Sequence, residues 1–276
     1  MTVPRRVPMV RPEGSDGADG PVRAGVSDWP EWPSAQVGAF MSTRAGGVSA
    51  APWASLNLGR SVGDAPEAVA ENRRRFVARL DGARPVWLRQ VHGVDVLRLD
   101  AHTPEHPDAA ADGAWSSERG VACVVSCADC MPVLMVSLDG GVVGAAHAGW
   151  RGLAAGVVES LLDAMCRGSR RSPADFAAWL GPCIGARHFE VGAEVLRAFG
   201  VDARAADSAH FAYAPRADGA PRWRADLAGL ASERLETAGV RALRRSGECT
   251  YADASRYFSY RRDGATGRMA AAIWRR

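Results

Sequence analysis

Lysine is absent from this chain: the 34 residues counted as Lys plus Arg are all arginine. That excludes Schiff-base chemistry on a lysine amine and a P-loop, whose lysine is obligatory. The arginine excess itself reads as the mark of a GC-rich coding sequence. Long apolar runs are missing too. No apolar stretch of roughly 18 residues occurs, and no apolar core follows the charged start Met1-Thr2-Val3-Pro4-Arg5-Arg6, so neither a membrane-spanning helix nor a secretory signal is expected. The six cysteines are therefore expected as reduced thiols in a cytoplasmic protein rather than as a disulfide framework. Excess charge of one sign is also scarce. The net charge is +3 and the arginines are dispersed, so no nucleic-acid or membrane surface is expected. No internal repeat is present.

What is present fits one enzyme domain. A chain of 276 residues with 47% hydrophobic composition can bury a large core. Residues 1–33 are rich in Pro, Gly and Asp without periodicity. They are expected to be a disordered tail or an over-called start, leaving 34–276 as a single metal-dependent catalytic domain. Trp29 and Trp32 are the exception within that stretch, since two tryptophans so close could dock on the core. Residues 37–42, 86–91, 95–99, 120–126, 131–137, 142–146, 176–180 and 269–274 read as strands. Helices are expected over 66–80, 153–165, 192–199 and 224–238. Short and crossover connections in mixed order predict an α/β (α+β) fold in which helices flank mixed sheets.

Three segments look built to meet at one metal ion: Gln90-Val91-His92-Gly93, Cys127-Ala128-Asp129-Cys130-Met131-Pro132 and His147-Ala148-Gly149-Trp150-Arg151. Each offers imidazole or thiolate, donors that suit a borderline-soft ion such as zinc. Two His plus one Cys is also the count that leaves a fourth position open for water or substrate. The donors are far apart in sequence and must converge through the fold, whereas a structural zinc finger places them in close local pairs. Ser126 and His147 fall at strand ends, where sites are usually built. After His147 the glycine-containing turn leads into a helix whose free amides can hold an anion.

These residues resemble the YfiH-like family, once called multicopper polyphenol oxidases or laccase-like proteins and now described as purine nucleoside phosphorylases. Vertebrate macrophage immunometabolism enzymes share the domain. The resemblance runs from about Val37 to Trp274. It is carried by Ser42-Thr43-Arg44-Ala45-Gly46-Gly47-Val48-Ser49, Ser55-Leu56-Asn57-Leu58-Gly59, Arg89-Gln90-Val91-His92-Gly93 and Ala111-Asp112-Gly113. Ala128-Asp129-Cys130-Met131-Pro132-Val133, His147-Ala148-Gly149-Trp150-Arg151-Gly152 and Gly181-Pro182-Cys183-Ile184-Gly185 continue it. Phe189-Glu190-Val191-Gly192, Ser259-Tyr260-Arg261-Arg262 and Thr266-Gly267-Arg268 complete it.

The resemblance implies His92, Cys130 and His147 as metal-ligating and catalytic residues, and mixed sheets flanked by helices. It implies phosphorolysis of purine nucleosides (adenosine, inosine, methylthioadenosine) to free base and ribose 1-phosphate, with adenosine deaminase as a side activity. Zinc is the implied cofactor, with copper as the alternative. Purine nucleosides and phosphate are the implied partners, and the assembly is expected to be a monomer or weak homo-oligomer. For that chemistry Arg44, beside Gly46-Gly47, is the first candidate to grip phosphate bidentately. Arg151 reads equally as a phosphate contact or a strand cap. Asn57, Gln90 and Asp112 are candidates for hydrogen bonds to ribose or base, and His188 for lining the pocket. The family motif has Thr where this chain has Cys127, which puts a second thiol near the site.

Other readings compete. Cys123-x3-Cys127-x2-Cys130 has the spacing of a radical iron–sulfur loop, but that loop normally opens its domain. Cys127-x2-Cys130 could be a redox pair, and Cys130, His147 and an acid could form a cysteine hydrolase without metal. Cys166, Cys183 and Cys249 read as ordinary thiols, His102 and His106 as solvated, and His210 as ambiguous. Copper-dependent phenol oxidation is disfavoured because three donors make one metal site, not the several a four-electron oxidase needs. An amidase acting on cell-wall peptide precursors stays open.

Overall fold

The structure is a computed structural model that describes residues 36–204 and 206–276. The expected tail over 1–33, with Trp29 and Trp32, lies outside the described residues. The chain begins with β1 (Val37–Met41), α1 (Pro66–Val77), β2 (Arg84–Trp87), β3 (Val96–Arg98) and β4 (Gly113–Ser116). Then come β5 (Val121–Cys127), β6 (Met131–Ser137), β7 (Val143–Ala148), α2 (Trp150–Ala155), α3 (Val157–Ser169) and β8 (Phe176–Leu180). β9 (Glu190–Val191), α4 (Ala193–Ala198), β10 (Phe211–Tyr213), β11 (Trp223–Ala225) and α5 (Leu227–Thr237) follow. β12 (Ala242–Arg245), α6 (Tyr260–Asp263) and β13 (Met269–Arg275) close it.

The strands form a four-stranded sheet in the order β1-β13-β5-β2, a six-stranded sheet β12-β8-β6-β7-β4-β3, and a small sheet β10-β11-β9. Both large sheets are mixed: β2 pairs parallel with β5 and β12 with β8, while β13–β5, β6–β7 and β6–β8 are antiparallel.

Alternation of side chains along the apolar strands sets the layers. Odd-numbered residues of β5 (Cys123, Val125, Cys127) pack with Leu134, Val136, Ala145 and Trp179 into a core between the two large sheets. Even-numbered Ala122 and Val124 turn outward, and with Phe40 and Trp274 they pack under Phe76 and Leu80 from α1 and its C-terminal end. On the far side of the six-stranded sheet, Val133, Met135 and Ala146 pack against α3 and α5 through Leu161, Met165 and Leu230. Strands covered on both faces read as continuous apolar runs, as β5 and β6 do. The result is helix, sheet, sheet, helix. Among the described residues no helix is long and apolar enough to cross a membrane.

The helix expected over 153–165 begins earlier and is split. Gly156 takes a left-handed φ of 102° and separates α2 from α3, a conformation open to glycine at little cost. Arg224, expected to start a helix, belongs instead to β11; α5 starts after Asp226, whose side chain accepts from Gly229 N at 2.9 Å. β2 ends at Trp87, short of the expected 91.

Candidate metal centre

Beyond Trp87 the chain leaves the ladder but stays beside β5. Gln90 Nε2 donates to Ser126 O and its Oε1 accepts from Ser126 N, both at 2.8 Å, so a side-chain amide supplies one more rung. His92 follows with a left-handed φ of 60°, a conformation a non-glycine residue holds only where its surroundings fix it. Asp112, just before β4, fixes it. Its carboxylate accepts from the amides of Val91, His92 and Gly93 at 3.0, 3.0 and 2.7 Å.

The same carboxylate accepts from His147 Nδ1 at 2.8 Å, and Asp112 O accepts from His147 N at 2.7 Å. With Nδ1 as donor, His147 keeps its Nε2 lone pair for a cation. Cys130 comes from the Ala128-Asp129-Cys130 link between β5 and β6, where Asp129 has a φ of 88°. Asp129 anchors that link by accepting from Thr250 Oγ1 and Arg261 N, both at 2.7 Å.

The donor atoms of His92, Cys130 and His147 all lie within 4.8 Å of one another. Cys130 Sγ stands 3.7 Å from His92 Nε2. Tetrahedral zinc with ordinary bond lengths sets S and N donors ~3.6 Å apart, so the group fits one ion. Gly149 leaves the room for it: a Cβ there would stand 2.8 Å from Cys130 Sγ and 2.8 Å from His92 Cδ2.

Burial pushes the Cys130 thiol up, but His147 and His92 beside it outweigh burial and hold it below its ordinary value. Burial likewise pulls His147 down, and Cys130 and Asp112 reverse the effect and raise it. A cation held between them takes the place of the shared proton. Cys127, the buried last residue of β5, is different. Burial first, then the negative Cys130 and Asp129, push its thiol well above the ordinary value, and it is not among the converging donors.

The three donors line a cavity of about 980 Å³, together with Gln90, Ser126, Trp150, Arg151, Tyr260 and Arg268. Ser126 and His147 lie within β5 and β7 rather than in loops after them. Of the residues expected to touch substrate, Gln90 and Arg151 line this cavity. Both ends of the Gln90 amide are occupied by Ser126. Arg151 packs 4.4 Å over the Trp150 ring and has no hydrogen-bond or ion-pair partner among the described residues. His188 lines an adjoining cavity of about 580 Å³ that shares Trp150 and Arg151, stacked 4.6 Å from Tyr251.

Three of the residues expected to touch substrate line neither cavity. Asp112 is fully buried beneath the cavity, its carboxylate spent on the backbone and His147. Asn57 is equally buried, bonded to Gly59, Asp64 and Arg268 N. Arg44 donates Nε to Ala54 O and Nη1 to Ala254 O, so much of its fork is spent on the backbone.

Arg268 was not singled out from sequence. It is half-buried, with Nη1 tied to Thr266 O and Gly267 O at 3.0 Å, and it adjoins Cys127, Cys130 and Asp129. Burial lowers its pKa and those neighbours raise it. Its placement follows from the pairing of Met269 with Cys127, a long-range contact that no local pattern announces. Tyr260, Arg60, Arg73 and His106 also line the cavity; among 34 arginines, nothing local in the sequence marks Arg60 or Arg73.

A family model described as multi-copper polyphenol oxidoreductase laccase matches residues 38–276. A protein named purine nucleoside phosphorylase from Pseudomonas aeruginosa is 49% identical over 247 residues, covering 89% of this chain and 96% of that protein. The purine nucleoside phosphorylase YfiH of Escherichia coli is 46% identical over 248 residues, covering 89% and 97%. Among solved structures, YlmD from Geobacillus stearothermophilus superposes with a TM-score of 0.81 at 33% identity, covering 95% of this chain and 98% of that one. A Neisseria meningitidis protein superposes with a TM-score of 0.78 at 39% identity, covering 93% and 99%.

Proposed function

Because the chain belongs to the family described as multi-copper polyphenol oxidoreductase laccase, whose relatives at 46% and 49% identity are named purine nucleoside phosphorylases, we propose that it cleaves purine nucleosides with phosphate. The observation that carries the reading is a three-donor group opening into a large cavity bordered by guanidinium groups. In the reaction the bond from ribose C1′ to the purine nitrogen breaks, a bond from C1′ to a phosphate oxygen forms, and the base leaves with a proton. Adenosine, inosine and methylthioadenosine are the substrates, with adenosine deamination as a side activity.

Zinc is the ion that suits two imidazoles and a thiolate, copper being the alternative; when bound it supplies Lewis acidity and lowers the pKa of water. The remaining work belongs to the chain. Asp112 fixes the tautomer of His147 and the loop that presents His92. Arg268 and the unpaired Arg151 hold phosphate oxygens beside the donors. Trp150 and Tyr260 offer ring faces to the purine.

Purified protein incubated with adenosine, with and without phosphate, tests this by chromatography. Adenine plus ribose 1-phosphate only when phosphate is added is the expected result; inosine alone would leave a deaminase, and no turnover would sink the reading. A second reading has a specific basis: the lowered Cys130 thiol, His147 and Asp112 form a cysteine–histidine–acid series suited to a metal-free amidase. Activity on peptide amides that survives chelation and is abolished by iodoacetamide would favour it.

A further inference from the structure

One wall of the cavity is cationic in a way the metal centre does not require. Arg60, Arg73 and His106 all line it. Arg73, on α1, donates Nε to Leu58 O at 3.0 Å, lies 3.9 Å over the Trp87 ring, and brings Nη1 within 3.4 Å of His106 Nε2. Arg60 is exposed and has no hydrogen-bond or ion-pair partner among the described residues. The nearby carboxylates are Glu105, half-exposed with Oε1 3.7 Å from His106 Nε2, and Asp108 on the lining. Neither forms an ion pair with Arg60 or Arg73. Burial, and then the charge of Arg60, lower the pKa of Arg73 to about 10. Burial and the same two arginines lower that of His106. Two guanidinium groups on one cavity wall, neither paired with an acid, and an imidazole hydrogen-bonded to one of them mark a place for an anion.

Position adds the second argument. Trp87 pairs with Val124, and β5 runs on from there to Cys127. At ~3.3 Å per residue, Cys127 lies ~10 Å along the strand from Val124, and Arg73, Trp87 and Cys127 all line the one cavity. That separation spans a nucleoside, and a guanidinium fork matches a phosphate in geometry as well as charge.

We propose that Arg60, Arg73 and His106 form an oxyanion subsite for a phosphate group, brought either by free orthophosphate or as a phosphoryl substituent on a nucleoside whose reacting end lies at the three donors. The inference rests on the nucleoside reading given above for the identity of that second carrier.

The test uses the purified full chain, Arg60→Ser and Arg73→Gln, titrated by calorimetry with orthophosphate, adenosine 5′-monophosphate and adenosine. Arg73→Gln should cost about tenfold or more in affinity for the phosphate-bearing probe and Arg60→Ser severalfold, with adenosine binding unchanged. A loss for orthophosphate assigns free phosphate. A loss confined to adenosine 5′-monophosphate assigns the substituent. Arg60 is exposed and unbonded, so its variant keeps the fold and decides the matter even where Arg73→Gln does not. Equal affinities of wild type and Arg60→Ser for both phosphate probes, or no binding of either by wild type, overturn the subsite whether or not phosphorolysis is observed. Absent phosphorolysis with probe binding still sensitive to Arg60 would sink only the proposed reaction.

Discussion

The Asp112 carboxylate reaches the backbone of residues 91–93 and Nδ1 of His147 at once, so one side chain governs two of the three donors. Asp112→Asn keeps its size but offers an amide NH₂ where an N–H must be accepted. Loss of such a supporting carboxylate typically weakens metal affinity about 10- to 100-fold. Competition against a chromophoric zinc chelator should show that drop, and unchanged affinity would mean the imidazoles are held by something else. The two neighbouring thiols should behave in opposite ways. Cys127 is buried, protonated and outside the donor group, so Cys127→Thr should keep full metal content by elemental analysis, whereas Cys130→Ala should lose it. Equal losses would show that both sulfurs bind. The donor triad was legible in the sequence because imidazole and thiolate are rare and chemically distinctive. Arg44, Asn57 and Asp112, which bond to the backbone here, show the converse: a polar residue in a motif reads the same whether it faces substrate or holds the backbone.

At the scale of elements, the turn between β6 and β7 carries its own electrostatics. Asp139 accepts from Ser137 Oγ at 2.6 Å, Arg171 Nη2 at 2.5 Å and Gly141 N at 3.0 Å. The hydrogen bond from Ser137, then that from Arg171, holds its carboxyl well below the ordinary value of 3.8. A depressed carboxylate contributes stability above its unfolded value, and loses it as pH falls through the folded one. Because the side chain is 58% exposed, Asp139→Asn should cost under ~1 kcal/mol at pH 7 in urea unfolding. The deficit should shrink below pH 3.8; a deficit growing with acidity would contradict the assignment. Sequence located β1 to β3, β5 to β8 and β13; the longest of them, β5, β6, β7 and β13, are buried on both faces. Those it missed are short, or lack an apolar run: β9 to β11 form a small sheet of two- and three-residue strands, β4 reads Gly-Ala-Trp-Ser, and β12 is a partly exposed edge. Their pairing is set by distant partners, which periodicity does not reveal.

At the scale of the molecule, the metal centre straddles the two large sheets. His92 follows β2 of one, His147 lies on β7 of the other, and Cys130 sits on the link that passes between them. The first sheet has β13 in its interior, between β1 and β5, although none of the donors lies on that strand. A chain ending at Gly267 should therefore bind no zinc in equilibrium dialysis while retaining every ligand; stoichiometric binding would show that the donors converge without the sheet. The same topology dictates an order of events during synthesis. At ~5–20 residues per second, β13 emerges long after His92, Cys130 and His147, and until it inserts beside β5 the seam has only one finished side. The nascent chain thus passes much of its elongation with ligands exposed but unassembled. Acquisition of the ion becomes a late timestamp on folding rather than its trigger.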